Sequence, residues 1–310
     1  MKTIGLSLVH SGKGVATTLK RLWSRLSVLL LFTMPLLLTG CGERYFVLNS
    51  AGPVARVERN LIYTSIALTL IVVIPVIVLM FYIIHRFRDK PGNDAPYEPQ
   101  WSENKTLEIV WWGIPIVIIG ILGTLTVRDT FRLVRPPANV TGKPLTVQVT
   151  SLNWKWLFQY PEQNIATVNY CAIPTNRPVR FILTSNAPMN SFWVPQLGGQ
   201  EYTMPGMAMR LWLQADHPGK YFGSGANFSG RGYAHMKFNV VAKPEGGFQQ
   251  WVNQVKSSAP ALTVSGYHDL TKDSVMKETA YSSFPPGSFE RIVRQEGGMY
   301  MKHKLTEATD

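Results

Sequence analysis

Residues 223–236 read Gly-Ser-Gly-Ala-Asn-Phe-Ser-Gly-Arg-Gly-Tyr-Ala-His-Met, a glycine-rich loop that leads into the alternating segment 236–240, Met-Lys-Phe-Asn-Val. Similar alternating segments precede it at 145–149 and 179–183, with proline and glycine between them. Such alternation predicts half-buried β-strands, and regular turn signals between short strands are typical of an antiparallel sandwich or barrel. The sequence therefore predicts an all-β domain over residues 143–243. The residues expected in its core are Val147, Val149, Phe181, Leu183, Leu211, Leu213 and Phe238.

Two apolar stretches precede this domain, at residues 61–84 and 107–127. Each has the roughly 20 residues needed to cross a hydrocarbon core of about 30 Å, so both are predicted to be transmembrane helices. Pro75 and Pro115 lie inside them. Membrane helices tolerate proline because neighbouring groups satisfy the freed backbone, so we expect kinks without breaks.

The N-terminus has the features of a secretory signal. A basic segment without any acidic residue is followed by the apolar run 26–38, which are the n-region and h-region of such a signal. The run ends in Leu38-Thr-Gly-Cys41, which looks like the lipobox of a bacterial lipoprotein. We therefore expect residues 1–40 to be removed, Cys41 to be lipidated, and residues 41–60 to form a periplasmic segment.

The lipobox also predicts the orientation of the helices, which the distribution of Lys and Arg alone leaves undecided. An acylated N-terminus is made on the outer face of the bacterial inner membrane. Residues 85–106 are then a cytoplasmic loop, and everything after Val127 is periplasmic.

Charge and cysteine content narrow the function classes. The formal net charge is +12, and removal of the five Lys and Arg of the signal leaves about +7. The remaining basic residues are scattered or flank apolar segments, which suits a membrane surface, so nucleic-acid binding is not expected.

Cys171 has no intrachain partner if Cys41 carries lipid. A lone cysteine in an oxidising compartment is more often a buried small apolar residue than a redox group.

The glycine-rich loop resembles the dinuclear copper loop of subunit II of cytochrome c oxidase, G-x-C-x-E-x-C-G-x-x-H-x-x-M. Gly223, Gly230 and Met236 match this pattern. Residues 190–195, Asn-Ser-Phe-Trp-Val-Pro, resemble the H-S-F-W-V-P segment that supplies another histidine ligand. The ligand positions that hold a different residue here are Asn190 and Tyr233 for the two histidines, Gly225 and Ser229 for the two cysteines, and Asn227 for the glutamate.

These replacements remove the ligands that a two-copper centre needs, namely thiolate bridges with imidazole and thioether. Neither Gly225 nor Ser229 supplies a thiolate, and the Met236 thioether alone is too weak a ligand. The sequence therefore predicts no metal in this domain. His217 and His235 lack the cysteine or carboxylate spacing of a metal site, which favours polar or structural roles.

The framework around these positions resembles subunit II of cytochrome bo-type ubiquinol oxidases, in the segments 160–168, 184–190 and 236–238. The resemblance implies a cupredoxin-like Greek-key sandwich after two transmembrane helices. It also implies a proton-pumping complex that oxidises ubiquinol and reduces oxygen to water. Hemes, copper and quinone are then expected in subunit I, which would be the main partner, with subunits III and IV and membrane lipid as further partners.

Glu108 begins the second apolar helix at its cytoplasmic end. One role is a favourable interaction with the helix dipole, and another is a proton path, because a carboxylate in lipid is costly unless it faces water or a partner. In the family, a glutamate at this position, within the segment 105–112 here, lies at the entrance of a proton-uptake channel into subunit I. The resemblance thus implies a role for Glu108 in proton uptake.

Two further regions of the sequence are rich in aromatic residues. In copper-bearing relatives a tryptophan near 153–158, Asn-Trp-Lys-Trp-Leu-Phe, helps electrons enter from cytochrome c. Without copper, Trp154 and Trp156 are expected to pack or to dock against a neighbouring subunit. Residues 244–310 are expected to form a short helical arm, with an amphipathic helix over 248–255 followed by an aromatic-rich segment.

Two other functions remain open from the residues alone. One is a cytochrome c oxidase subunit II with an atypical copper site. The other is a separate lipoprotein with a cupredoxin-like adhesion or chaperone domain.

Overall fold

The computed structural model describes residues 45–137 and 143–295. The predicted signal segment 1–40 and the predicted lipidation site Cys41 lie outside the described residues. The described chain begins with two long helices, α1 (Pro53–Arg86) and α2 (Lys105–Leu133).

Both helices are long and apolar enough to cross a membrane, and the most apolar part of each helix is not buried within the chain. They run continuously through Pro75 and Pro115, so the prolines do not break them, as predicted. Asn104 caps α2, because its side chain accepts a hydrogen bond from the Leu107 N–H at 3.0 Å. The exposed apolar surface of these helices is what a lipid-facing hairpin requires.

The sandwich follows α2. Its first five strands are β1 (Leu145–Leu152), β2 (Lys155–Tyr160), β3 (Ile165–Val168), β4 (Tyr170–Pro174) and β5 (Val179–Ser185). The next five are β6 (Asn190–Trp193), β7 (Gln200–Thr203), β8 (Met209–Leu213), β9 (Gly219–Gly225) and β10 (Lys237–Lys243). The C-terminal arm contains α3 (Glu245–Ser258), α4 (Val264–Thr271), β11 (Thr279–Tyr281) and α5 (Ser288–Gln295).

The strands form two sheets, with orders β11-β3-β2-β1-β5-β8 and β4-β10-β9-β6-β7. The predicted fold class of two apolar helices, a cupredoxin-like sandwich and a helical arm is confirmed. The sequence predicted antiparallel strands throughout, but β1 pairs in parallel with β5, and β10 in parallel with β4. The chain crosses to the other sheet between such partners, and a crossover returns a strand in the same direction, whereas a hairpin reverses it.

Aromatic rings fill the space between the sheets. Trp156, Phe158 and Phe192 are fully buried, and the rings of Phe192 and Phe238 stack with centroids 4.9 Å apart. Six of the seven predicted core residues are buried, and Leu211 is partly buried against the same cluster. Because each aromatic side chain can bury about 150–250 Å², these rings dominate the apolar core beneath the loop 223–236.

The C-terminal arm packs against both sheets, with α3 against β4 and β10 as well as β3 and β11, and α5 against β5. The predicted helix over 248–255 is part of α3, and Phe248 is buried in the main core. The arm also contributes a strand that the sequence did not predict, because β11 pairs antiparallel with the otherwise free edge of β3. Phe289 and Val293 of α5 are buried against Ile182 of β5.

The start of α1 is fixed to the sandwich. The Asp216 N–H donates to the Ala51 carbonyl at 2.9 Å, and the Arg56 guanidinium forms an ion pair with the Asp216 carboxylate. Two residues further along α1, the Glu58 carboxylate accepts the Gly199 N–H at 2.8 Å. These contacts hold the membrane hairpin in a defined position against the β domain.

Candidate functional site

The positions that resemble copper ligands converge at one end of the five-stranded sheet. Asn190 begins β6, Gly225 ends β9, and Met236 immediately precedes β10. β6 and β9 are neighbours, with Phe192 opposite Gly225. The Gly225 N–H donates to the Met236 carbonyl at 2.8 Å, so the loop 226–235 is closed at its base.

Asn190, Ser229 and Met236 form a hydrogen-bonded cluster. The Asn190 side-chain amide donates from Nδ2 to Ser229 Oγ at 3.2 Å and to Met236 Sδ at 2.9 Å. Ser229 Oγ also donates to Met236 Sδ at 3.3 Å, and Asn190 Oδ1 accepts the Ser191 N–H at 2.8 Å. Asn190 is fully buried, yet both polar atoms of its side chain have partners, which removes the cost of an unsatisfied buried amide.

The same amide occupies the space beside Gly225. A Cβ added at Gly225 would lie 2.8 Å from Asn190 Oδ1 and 3.1 Å from Asn190 Nδ2. A cysteine at this position would therefore require Asn190 to move or to be replaced. The glycine and the asparagine are complementary in shape, so these two replaced positions fit each other.

The other two replaced positions make their contacts elsewhere. Asn227 Nδ2 donates to the Met189 carbonyl at 3.3 Å. Tyr233 lies in a single turn of 3₁₀ helix, with its ring 5.8 Å from the ring of the exposed Phe228. Asn227 and Tyr233 thus hold the outer part of the loop.

The two tryptophans of the aromatic segment support the loop from below. Trp154 has a φ of 65°, and its indole Nε1 donates to the Ser229 carbonyl at 3.2 Å. A Cβ added at Gly232 would lie 2.1 Å from Trp154 Cδ2, so only glycine fits against this ring. Trp156 is fully buried and donates to the Met236 carbonyl at 3.4 Å. Both residues therefore pack within the chain, which is one of the two roles predicted for them.

The residues present do not fit a dinuclear copper centre. The cluster offers a carboxamide, a hydroxyl and one thioether, whereas a bridged copper pair needs thiolates and imidazoles. His217 and His235 are exposed side chains outside the cluster. Within residues 45–137 and 143–295, no group of three or more His, Cys, Asp or Glu side chains is close enough to hold a metal ion.

Cys171 is a buried free cysteine in β4. Burial raises the pKa of its thiol to about 12, and the hydrogen bond that Tyr160 Oη donates to its sulfur at 3.3 Å opposes this only in part. A thiol with so high a pKa is a poor nucleophile and metal ligand, because the thiolate is the reactive form. Cys171 therefore behaves as a core residue, as predicted.

Glu108 lies in the first turn of α2 and is exposed in this chain. Its backbone N–H donates to the Asn104 carbonyl at 3.0 Å, so it sits at the positive end of the helix dipole. Trp111 and Trp112 follow it and are also exposed, at 60% and 64%. This geometry leaves the carboxylate accessible at the loop end of the hairpin.

Lys155 is a structural residue that the sequence patterns do not indicate. It lies between the two tryptophans, is fully buried, and donates from Nζ to the carbonyls of Leu270 and Lys272 at 3.0 and 2.7 Å. Burial lowers the pKa of Lys155, and the charge of Asp273 opposes that shift. The available signal was a lysine in a strand whose other residues are mostly aromatic or apolar.

The chain is similar in sequence to known oxidase subunits. A family model described as the periplasmic domain of cytochrome c oxidase subunit II matches residues 161–243. A quinol oxidase subunit 2 of Bacillus cereus is 44% identical over 266 residues, covering 86% of this chain and 91% of the relative. A cytochrome bo(3) ubiquinol oxidase subunit 2 of Pseudomonas aeruginosa is 44% identical over 260 residues, covering 83% and 78%. Among solved structures, the periplasmic domain of subunit II of cytochrome oxidase of Bradyrhizobium japonicum is 22% identical with a TM-score of 0.36, covering 38% of this chain and 97% of that chain.

Proposed function

The chain belongs to the quinol oxidase subunit II family of the heme-copper oxidases, and we propose that it acts there without a redox centre of its own. Its sandwich caps the complex on one side of the membrane, while α1 and α2 pack on subunit I. Hemes and copper reside in subunit I, which also provides most of the quinone pocket, and subunits III and IV complete the assembly.

One observation carries this proposal: the place of the copper ligands is filled by the cluster of Asn190, Ser229 and Met236. The cluster satisfies its own hydrogen bonds and lacks thiolate and imidazole. A domain with this donor set has no acceptor for a soluble one-electron carrier. A quinol dissolved in the membrane is the alternative donor, and it reaches subunit I without passing through this domain.

The proposed location is the bacterial inner membrane, with the sandwich in the periplasm. Two helices of membrane length support the spanning hairpin. The lipobox that ends in Cys41 supports both a lipid anchor at the N-terminus of the mature chain and a cytoplasmic location of the loop 85–106.

Co-purification and metal analysis test the proposed function. The full chain is isolated from its native membrane in mild detergent, and the expected result is a heme spectrum in the same fractions. After separation from the heme-bearing partner, the chain should hold no copper. Two tightly bound copper ions per chain would favour a cytochrome c oxidase subunit with an atypical site. Absence of hemes from every fraction would favour a separate lipoprotein.

We also propose that Glu108 takes part in proton uptake from the cytoplasmic side. Its exposed carboxylate at the loop end of α2 supports this role. Loss of a positioned proton-transfer group costs about 10²–10⁴-fold when that step limits turnover, so Glu108→Gln should slow quinol oxidation by roughly tenfold or more with hemes retained.

A matched control distinguishes this role from a purely structural one. Glu103 is exposed and precedes the Asn104 cap, so Glu103→Gln removes the same charge outside the helix. If Glu108 only stabilises the helix dipole, Glu108→Gln should lower stability by about 0.3–1 kcal/mol and leave turnover unchanged. Equal turnover of both variants and the parent would remove Glu108 from the proton path.

A further inference from the structure

A basic pocket lies where α1 and α2 meet at the sandwich side of the hairpin. The cavity has a volume of 430 Å³, and its wall includes three arginines, Arg128, Arg132 and Arg135. Val57 and Phe131 form part of its apolar wall, and none of the described residues that line it is acidic. This combination of charge and apolar surface plays no part in the proposed redox or proton roles.

The three arginines lie together because of helical spacing. Arg128 and Arg132 are four residues apart on α2, which puts them on one face of the helix. Arg135 lies in the turn that follows, where its N–H donates to the Arg132 carbonyl at 3.4 Å. The result is a row of guanidinium groups along one side of the pocket.

Neighbouring charges leave this row positive. The Asp129 carboxylate is 3.7 Å from Arg128 Nε and offsets one positive charge. On α1, the Glu58 carboxylate is engaged by the Gly199 N–H, and Arg56 pairs with Asp216 of the sandwich. The carboxylates of Glu58 and Asp216 are therefore directed to other partners.

The depth of the pocket matches lipid headgroups. Arg128 directly follows the apolar stretch 107–127, and a rise of about 1.5 Å per residue puts Arg132 about 6 Å further out. The headgroup layer adds roughly 5–8 Å to each side of a hydrocarbon core of about 30 Å. Arg128 and Arg132 thus lie at the depth of the layer that contains phospholipid phosphates.

From this geometry we propose that the pocket binds one anionic phospholipid of the leaflet on the sandwich side. The phosphate accepts hydrogen bonds from the guanidinium groups, whose planar fork matches phosphate oxygens. The glycerol backbone and ester groups contact Val57 and Phe131, which lie at the depth of the arginines, and Phe131 is 70% exposed in the chain alone. A cavity of 430 Å³ with one polar and one apolar side suits this amphipathic ligand better than a bare anion.

Lipid retention tests the proposal. The full chain is purified in mild detergent with whatever partners accompany it, and bound phospholipids are counted by mass spectrometry. The pocket variant R128Q/R132Q/R135Q is compared with R88Q/R231Q/R294Q, which removes three exposed arginines elsewhere. The parent and the control variant should each retain one phosphatidylglycerol or cardiolipin more than the pocket variant. Titration with phosphatidylglycerol should show binding to the pocket variant weakened at least about tenfold.

Other results would overturn the proposal. Equal lipid counts in all three proteins would do so, and so would loss of a co-purifying acidic protein from the pocket variant with the lipid count unchanged. Displacement of the lipid by excess inorganic phosphate would indicate a free-anion site. If the triple variant fails to accumulate, the single variant R132Q serves instead. It should bind the lipid more weakly than the parent while melting at the same temperature as the parent.

Discussion

Replacement of Lys155 by methionine should loosen the start of the C-terminal arm without unfolding the sandwich. Lys155 Nζ donates to the carbonyls of Leu270 and Lys272, which lie at the end of α4. The last carbonyls of a helix lack intrahelical partners, so this side chain caps α4 from the neighbouring sheet. Methionine has a similar length and fills the space, but it cannot donate a hydrogen bond.

The expected cost follows from these two contacts. A hydrogen bond to a charged group contributes about 1.5–3 kcal/mol, and burial of the ammonium offsets part of this sum. A net loss of about 2 kcal/mol for Lys155→Met is therefore expected. This corresponds to a roughly 30-fold higher population of the open α4 segment, since about 1.4 kcal/mol is tenfold.

Amide hydrogen exchange of the full chain in detergent measures this opening. Exchange should accelerate in residues 264–273, whereas α5 should keep its protection because Phe289 and Val293 are buried separately. Lys237→Met is the matched control, since Lys237 is an exposed lysine of β10. Unchanged exchange in residues 264–273, or the same acceleration in the control, would refute the capping role of Lys155.

Two further predictions concern the β domain. A Cβ at Gly223 would lie 2.2 Å from Phe238 Cε2, so Gly223→Ala should destabilise the fold by about 1–3 kcal/mol in thermal melting. The control Gly246→Ala, on the open face of α3, should be neutral or stabilising by up to about 1 kcal/mol. Equal melting temperatures of the two variants would contradict the predicted steric crowding at Gly223. Because burial holds the pKa of Cys171 at about 12, above its usual value of about 8.5, the folded chain keeps a proton that the unfolded chain loses, and this contribution to stability should be present below about pH 8.5 and lost as pH rises towards 12. In alkaline denaturation, Cys171→Ala should lose stability less steeply with pH than the parent. Rapid labelling of Cys171 by a thiol reagent in the native chain at about pH 8 would contradict its burial.

Periodicity in the sequence was enough to predict the main elements. The apolar stretches 61–84 and 107–127 lie inside α1 and α2, the alternating segments 145–149 and 179–183 lie in β1 and β5, and all of the third except Met236 lies in β10. These predictions succeed because the period of a helix or a strand is a local property of the chain. The parallel partners of β1 and β10 were missed, because strand pairing depends on where the chain returns after crossing between sheets.

The candidate site was likewise predictable from the sequence only in part. The absence of thiolate and imidazole ligands follows from the identities of Gly225, Ser229 and Asn190. Their mutual arrangement did not follow, because Asn190 and Gly225 are separated by 35 residues and meet only through the pairing of β6 with β9. The support of the loop by Trp154 likewise depends on a long-range contact.

By itself, the sequence determined the two apolar helices, the β domain and the lack of thiolate and imidazole side chains at the positions that resemble copper ligands, since each depends on residue type or on short-range spacing. Only the tertiary structure decided that an asparagine amide fills the space beside Gly225, that Lys155 caps α4, and that three arginines share a pocket with α1. Those features depend on atoms distant in sequence that folding brings within a few ångströms. Burial and hydrogen bonding, which decide what such atoms can do, exist only after that approach.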